Sequence, residues 1–174
     1  IDIIKHLMIG SEGTLGFITE ITYKTIIDHE YKASALMIFP DMNMACQAVM
    51  KLDRSVVAAA ELMDRASLRS VEEEPGMPSY LKTLDSEATA LLVEVRSETK
   101  DGLTHLIDGT KECLATIATV LPITFTNVKQ EYEKLWHIRK GIFPAVGGMR
   151  NPGATVIIED VAFPKEQLAE AILE

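Results

Sequence analysis

The chain has 174 residues, 47% of them hydrophobic and 25% charged, enough for one full domain and part of a second beneath an ordinary soluble surface. Its 26 acidic residues outnumber 17 basic ones for a net charge of −9, and no run of Lys or Arg forms a basic face. Binding through counterion release needs clustered cations, so nucleic acid and anionic membranes are poor partners.

No stretch reaches the roughly 18 consecutive apolar residues of a transmembrane helix. The opening Ile1-Asp2-Ile3-Ile4-Lys5-His6 has neither a basic leader nor a small-residue cleavage site and does not look like a natural start. Ile3, Ile4, Leu7 and Met8 fall at helical spacing and read as the tail of a helix that meets Gly10. Three glycines come next at intervals of three, Gly10, Gly13 and Gly16, and lead into Phe17, Thr19, Ile21 and Tyr23 alternating with Glu20, Thr22 and Lys24, the pattern of a strand. A loop of this kind turns backbone N–H groups onto an anion, most naturally a phosphate. It lacks the lysine of a triphosphatase phosphate loop, and the segment after Gly16 is no dinucleotide-binding helix, so both generic nucleotide motifs are out. On spacing alone it is a Gly-rich turn opening a β-strand, and a boundary near residue 30 separates it from the rest.

Residues 33–39 form an apolar strand ending at Pro40, and Asp41 caps a helix with the stripe Ala45, Ala48, Val49 and Leu52. Residues 56–63 form a second strand. Asp64 caps a helix through Leu68 and Val71 to Glu72-Glu73-Glu74, a solvated helix end stopped by Pro75-Gly76-Met77-Pro78. Residues 88–95 are the clearest strand, followed by a helix capped by Thr99 or Asp101 with Leu103, Leu106, Ile107, Cys113, Leu114 and Ile117 on one side. After Pro122, residues 123–128 alternate at period two. Strands near 35, 60, 92 and 125 in two β-α-β units predict an α+β, ferredoxin-like antiparallel sheet with helices on one face. A parallel doubly wound sheet fits less well, because several strands alternate. Cys46 and Cys113 read as buried reduced thiols in a cytosolic setting. His6, His29, His105 and His137 lack paired-ligand spacing, so no metal site is expected.

Tyr132, Leu135, Trp136, Arg139 and Phe143 share one side of a later helix, which puts a permanent cation beside an apolar stripe. Such a guanidinium needs an anion or a route to water. It either pairs with Glu159 or Asp160, snorkels past Trp136, or forks onto a substrate carboxylate.

Two phrases carry a resemblance. Ile9-Gly10-Ser11-Glu12-Gly13-Thr14-Leu15-Gly16-Phe17-Ile18-Thr19-Glu20 resembles the end of the flavin-binding domain in the FAD-linked oxidase family, which includes D-lactate dehydrogenases, D-2-hydroxyglutarate dehydrogenases and the glycolate oxidase flavin subunit. Leu135-Trp136-His137-Ile138-Arg139, followed by Glu159-Asp160-Val161-Ala162-Phe163-Pro164, is similar to the substrate-side cap of the same enzymes. The resemblance implies that residues 1–30 are a remnant of the FAD-binding domain and 31–174 a truncated cap, inactive alone and without bound FAD. It implies that Gly10, Ser11, Gly13, Thr14, Gly16 and Ile18 line the flavin in the intact enzyme, and that Arg139 and Trp136 meet a small 2-hydroxy acid whose hydride passes to FAD and on to an electron acceptor. Where some 2-hydroxyglutarate enzymes have a lysine this chain has Ile157 and Ile158, which puts a distal carboxylate clamp in doubt. The family's His-rich metal segment would lie downstream of Glu174, and an exposed sheet edge could pair copies of the chain. The rival readings are a ferredoxin-like binding or regulatory module and a flavin-dependent synthase on the same scaffold.

Overall fold

The computed structural model describes residues 2–53, 55–154 and 163–173. The chain divides between Asp28 and His29 into two units.

The N-terminal unit opens with α1 (Asp2–Met8), which buries none of its side chains. The chain then turns through Gly10, Glu12 and Gly13, all at positive φ. The strand expected over residues 17–24 does not form, and residues 16–29 adopt neither helix nor strand. Alternation only sorts side chains onto two faces; a strand also needs a neighbour for its N–H and C=O groups. Among the described residues none pairs with this segment, and Phe17 is 91% exposed.

Among the described residues the second unit is built on three strands, β1 (Tyr31–Phe39), β2 (Ala59–Met63) and β3 (Thr89–Ser97). They lie in the order β1-β3-β2, and both pairings are antiparallel. The fourth expected strand is reduced to contacts along the outer edge of β1. Ser34 and Thr126 exchange N–H···O bonds of 3.0 and 2.9 Å, and the Val120 N–H donates to the Ile38 carbonyl at 2.8 Å. Between these contacts stands Pro122, which has no N–H to give to a ladder. With that edge segment the chain follows the β-α-β-β-α-β path of a ferredoxin-like fold, with a further helix between β2 and β3.

Among the described residues five α-helices accompany the sheet: α2 (Met42–Lys51), α3 (Arg65–Val71), α4 (Lys100–Leu114), α5 (Lys129–Gly148) and α6 (Leu168–Leu173). The expected caps are in place. Asp41 and Asp64 each accept a 2.8 Å bond from the backbone N–H three residues on, and Thr99, not Asp101, caps α4 by accepting from the Gly102 N–H at 3.1 Å. These bonds satisfy donors that a helix start leaves without a partner.

Helices cover both faces of the sheet, not one. Ala35, Met37, Phe39, Leu91 and Val93 cluster with Ala45, Ala48 and Leu114 of α2 and α4. On the other face Ile38, Ala90 and Leu92 cluster with Leu68 and Val71 of α3, Leu81, and Ile138 of α5. Seven consecutive residues of β3, from Thr89 to Val95, are therefore buried, as expected of a strand covered on both sides.

Two smaller expectations also change. Cys46 is buried, but Cys113 is exposed, because it precedes buried Leu114 by one position and is rotated about 100° from it. Burial pushes the Cys46 thiol up from its ordinary range. The acidic triplet is only partly a solvated end: Glu72 holds the Arg65 guanidinium at 2.8 Å, and Arg65 is 8% exposed.

Candidate functional site

α5 carries the two side chains singled out from the sequence. Lys129 and Glu133, one turn apart, lie 3.8 Å from each other at its start, a pairing that supports a helix modestly. Ile138 is its buried anchor, packed in the cluster that includes Leu68 and Val71. Ile138 turns toward Leu68 and Val71 of α3, and Trp136 and Arg139, which lie on another side of α5, reach Glu94 of β3 and Glu61 of β2.

Trp136 engages a buried polar group. Its indole Nε1–H donates to Glu94 Oε2 at 2.7 Å and lies 3.2 Å from Ser34 Oγ, while the Ser34 hydroxyl donates to the same carboxylate oxygen at 3.2 Å. The other oxygen, Glu94 Oε1, accepts from Arg96 Nε at 2.6 Å. Glu94 is 4% exposed and Ser34 fully buried. A carboxylate at that depth persists only when its charge is balanced and its lone pairs are filled, and Arg96, Ser34 and Trp136 do both. Strand register assembles the group, since Ser34 on β1 lies directly across from Glu94 on β3. The network thereby joins two strands to α5.

Arg139 lies one helical turn further on. Its Nε donates to Glu61 Oε2 at 3.2 Å, with 48% of the arginine and 37% of the glutamate side chain exposed. Glu61 stands on β2 opposite Leu92, two positions from Ala59, which faces Glu94. Alternation along a strand puts Glu61 and Glu94 on the same sheet face. That face thus offers an inner carboxylate to Trp136 and an outer one to Arg139. The expected partners Glu159 and Asp160, together with Ile157 and Ile158, lie outside the described residues.

Neither Glu61 nor Glu94 was singled out from the sequence. The signal was there: each is a lone acid in an otherwise apolar strand, Ala59-Ala60-Glu61-Leu62-Met63 and Leu91-Leu92-Val93-Glu94-Val95. A charge in such a run needs a partner from elsewhere in the fold.

The glycine loop belongs to the N-terminal unit and the arginine site to the other. Gly10 and Gly13 sit at φ +79° and +75°, and no atom lies within 4 Å of where a Cβ would stand on either. Glycine adopts this conformation without the strain other residues incur. The Thr14 N–H and hydroxyl both donate to the Ser11 carbonyl, at 2.8 and 2.5 Å, closing the turn. Gly16 has no positive φ, and Ile18 is 48% exposed. Open, glycine-lined backbone of this kind fits the close approach of a phosphate-bearing cofactor.

His137 is exposed beside Trp136. Among the described residues no group of three or more His, Cys, Asp or Glu side chains could hold a metal ion, and no helix is long and apolar enough to cross a membrane.

Residues 28–174 match the family described as FAD linked oxidases, C-terminal domain. The chain is 24% identical over 173 residues to the glycolate oxidase subunit GlcD of Bacillus subtilis, covering 97% of this chain and 34% of that protein. It is 29% identical over 171 residues to the mitochondrial D-lactate dehydrogenase [cytochrome] of Arabidopsis thaliana, covering 97% and 29%. It is 25% identical over 171 residues to a D-lactate dehydrogenase of Anaerostipes hadrus, covering 95% and 35%. The chain thus spans about a third of the length of the curated relatives it matches. A helix-covered antiparallel sheet, with a tryptophan and an arginine carried by one long helix, and a family match over 28–174 lead to one conclusion: the chain belongs to the FAD-linked oxidases, as their C-terminal domain.

Proposed function

We propose that this chain is the substrate-side part of an FAD-dependent dehydrogenase that oxidises a D-2-hydroxy acid of the lactate, glycolate or 2-hydroxyglutarate class. The observation that carries the reading is Arg139: a guanidinium aligned by one carboxylate at its Nε, yet 48% exposed. An arginine presented in this way binds a substrate carboxylate through parallel N–H···O bonds, which fix orientation as well as position. Trp136 contributes a wall and, through Glu94, keeps the helix beneath that arginine in place. The backbone of Gly10, Ser11, Gly13, Thr14, Gly16 and Ile18 approaches the cofactor, and the exposed Leu15 and Phe17 next to it pack within the flavin-binding part of the larger enzyme. FAD bound there supplies the hydride acceptor. One loop offers too little enclosing surface to retain the cofactor, so activity needs the remainder of the enzyme.

The test is Arg139→Ala in the full-length protein, assayed with D-lactate, glycolate and D-2-hydroxyglutarate. Loss of a charge-assisted contact is worth about 1.5 to 3 kcal/mol, so kcat/KM falls roughly 10- to 100-fold on the true substrate. Unchanged turnover on all three favours a ferredoxin-like binding module in which Arg139–Glu61 is only a structural ion pair, or a flavin-dependent synthase with another substrate.

A further inference from the structure

We propose that Glu61 is a positioning residue that holds Arg139 by the rear of its guanidinium and leaves the forked front to the substrate; this rests on Arg139 being the group that binds the substrate carboxylate. The assignment comes from which atom is held. Arg139 meets Glu61 through Nε, at a single 3.2 Å contact. Guanidinium carries five N–H donors in a rigid plane, one on Nε and four on the two Nη atoms, so a hold at Nε fixes the plane without occupying the Nη1/Nη2 edge. An internal carboxylate that competed with substrate would straddle that edge and be held bidentately.

The backbone beneath Glu61 makes it a firm support. Glu61 lies within β2, whose ladder with β3 runs from Ala59 opposite Glu94 to Met63 opposite Ala90. The side chain therefore rises from a hydrogen-bonded strand. On the helix side, Ile138 and Trp136 are tied into the apolar cluster and the Glu94 group. Arg139 is held at its base by α5 and near its tip by β2, and two such restraints take up rotamer freedom that a long flexible side chain would otherwise lose on meeting its ligand. Glu61 touches no reacting atom on this account; it acts through Arg139, on binding more than on the chemical step.

The experiment uses the full-length holoenzyme with D-lactate and glycolate, an artificial dye as acceptor, and oxalate as a dead-end dicarboxylate. Glu61→Ala raises KM and the oxalate inhibition constant about tenfold and leaves kcat within about twofold. Glu61→Gln, which keeps an oxygen acceptor for Nε, restores both constants to within about threefold of the parent. If Glu61→Ala does not fold, Glu61→Thr replaces it, a strand-forming residue too short to reach Arg139. A rise in KM below about threefold in a folded Glu61→Ala or Glu61→Thr protein overturns the proposal, as does any fall in KM, which would mark Glu61 as a competitor of the substrate. Arg139→Ala in the same assay separates the two failures. If it too leaves KM and oxalate binding unchanged, the arginine reading itself has failed; if it raises them while the Glu61 variants do not, only the role of Glu61 has.

Discussion

Residues 2–28 and the three-stranded sheet are both rich in large apolar side chains, yet they use them oppositely. In the first region Ile3, Leu7, Phe17, Tyr23 and Ile26 are 59–91% exposed. In the second Met37, Phe39, Leu91 and Leu92 are 0–1% exposed. The difference lies in partners for the backbone. β1, β2 and β3 satisfy one another's N–H and C=O groups, and the layer so formed gives side chains on both faces something to pack against. Residues 16–29 have apolar side chains but no ladder among the described residues, so hydrophobic content there does not become burial.

Matched substitutions can break or sharpen this contrast. Phe39→Ala removes a fully buried ring between the sheet and its helices and is expected to cost about 3 to 5 kcal/mol in chemical denaturation. Glu94→Ala comes next, at about 1 to 3 kcal/mol, because it removes the carboxylate that the Trp136 indole N–H meets at 2.7 Å and Arg96 Nε at 2.6 Å, and leaves the indole only the longer 3.2 Å approach to Ser34 Oγ. Trp136 is the single tryptophan of the chain, so its emission reports the local change directly: a red shift before global unfolding is expected for Glu94→Ala and not for Phe39→Ala. The smallest effect belongs to Phe17→Ala, which removes a ring of the same size from a 91% exposed position and should alter stability by no more than about 0.5 kcal/mol. A Phe17→Ala loss comparable to that of Phe39→Ala would show that the two regions are not the opposites described.

The two acids that α5 meets show the same division in miniature. The inner carboxylate, Glu94, is buried and wholly engaged; the outer one, Glu61, is 37% exposed and holds Arg139 at one atom. Both point from one sheet face toward α5, and they differ in depth and in how many groups they engage.

Much of the cap was legible from the chain itself. Asp41, Asp64 and the pair Thr99 or Asp101, of which the structure uses Thr99, announce helix starts because a short polar side chain before an apolar stripe can satisfy backbone donors within three residues. The strand and helix order was readable for the same reason, as periods of two and 3.6 are local properties. The family resemblance rested on the glycine loop, the Trp136-x-x-Arg139 spacing and the phrase Asp160-Val161-Ala162-Phe163-Pro164, each contiguous in sequence, and the match over 28–174 shows the family. Glu61 and Glu94 were not legible in the same way. Their oddity, one acid in each apolar strand, was visible, but their partners Arg139 and Trp136 stand 78 and 42 positions away.

By itself, then, the sequence determined the local elements, their caps and the family, because these depend on residues a few positions apart. Only the tertiary structure decided that residues 17–24 form no strand, that helices cover the sheet on both sides, that Cys113 faces outward, and that Arg139 is held by Glu61. Each of those outcomes turns on what a distant segment brings within hydrogen-bonding or packing reach, and periodicity carries no information about that distance.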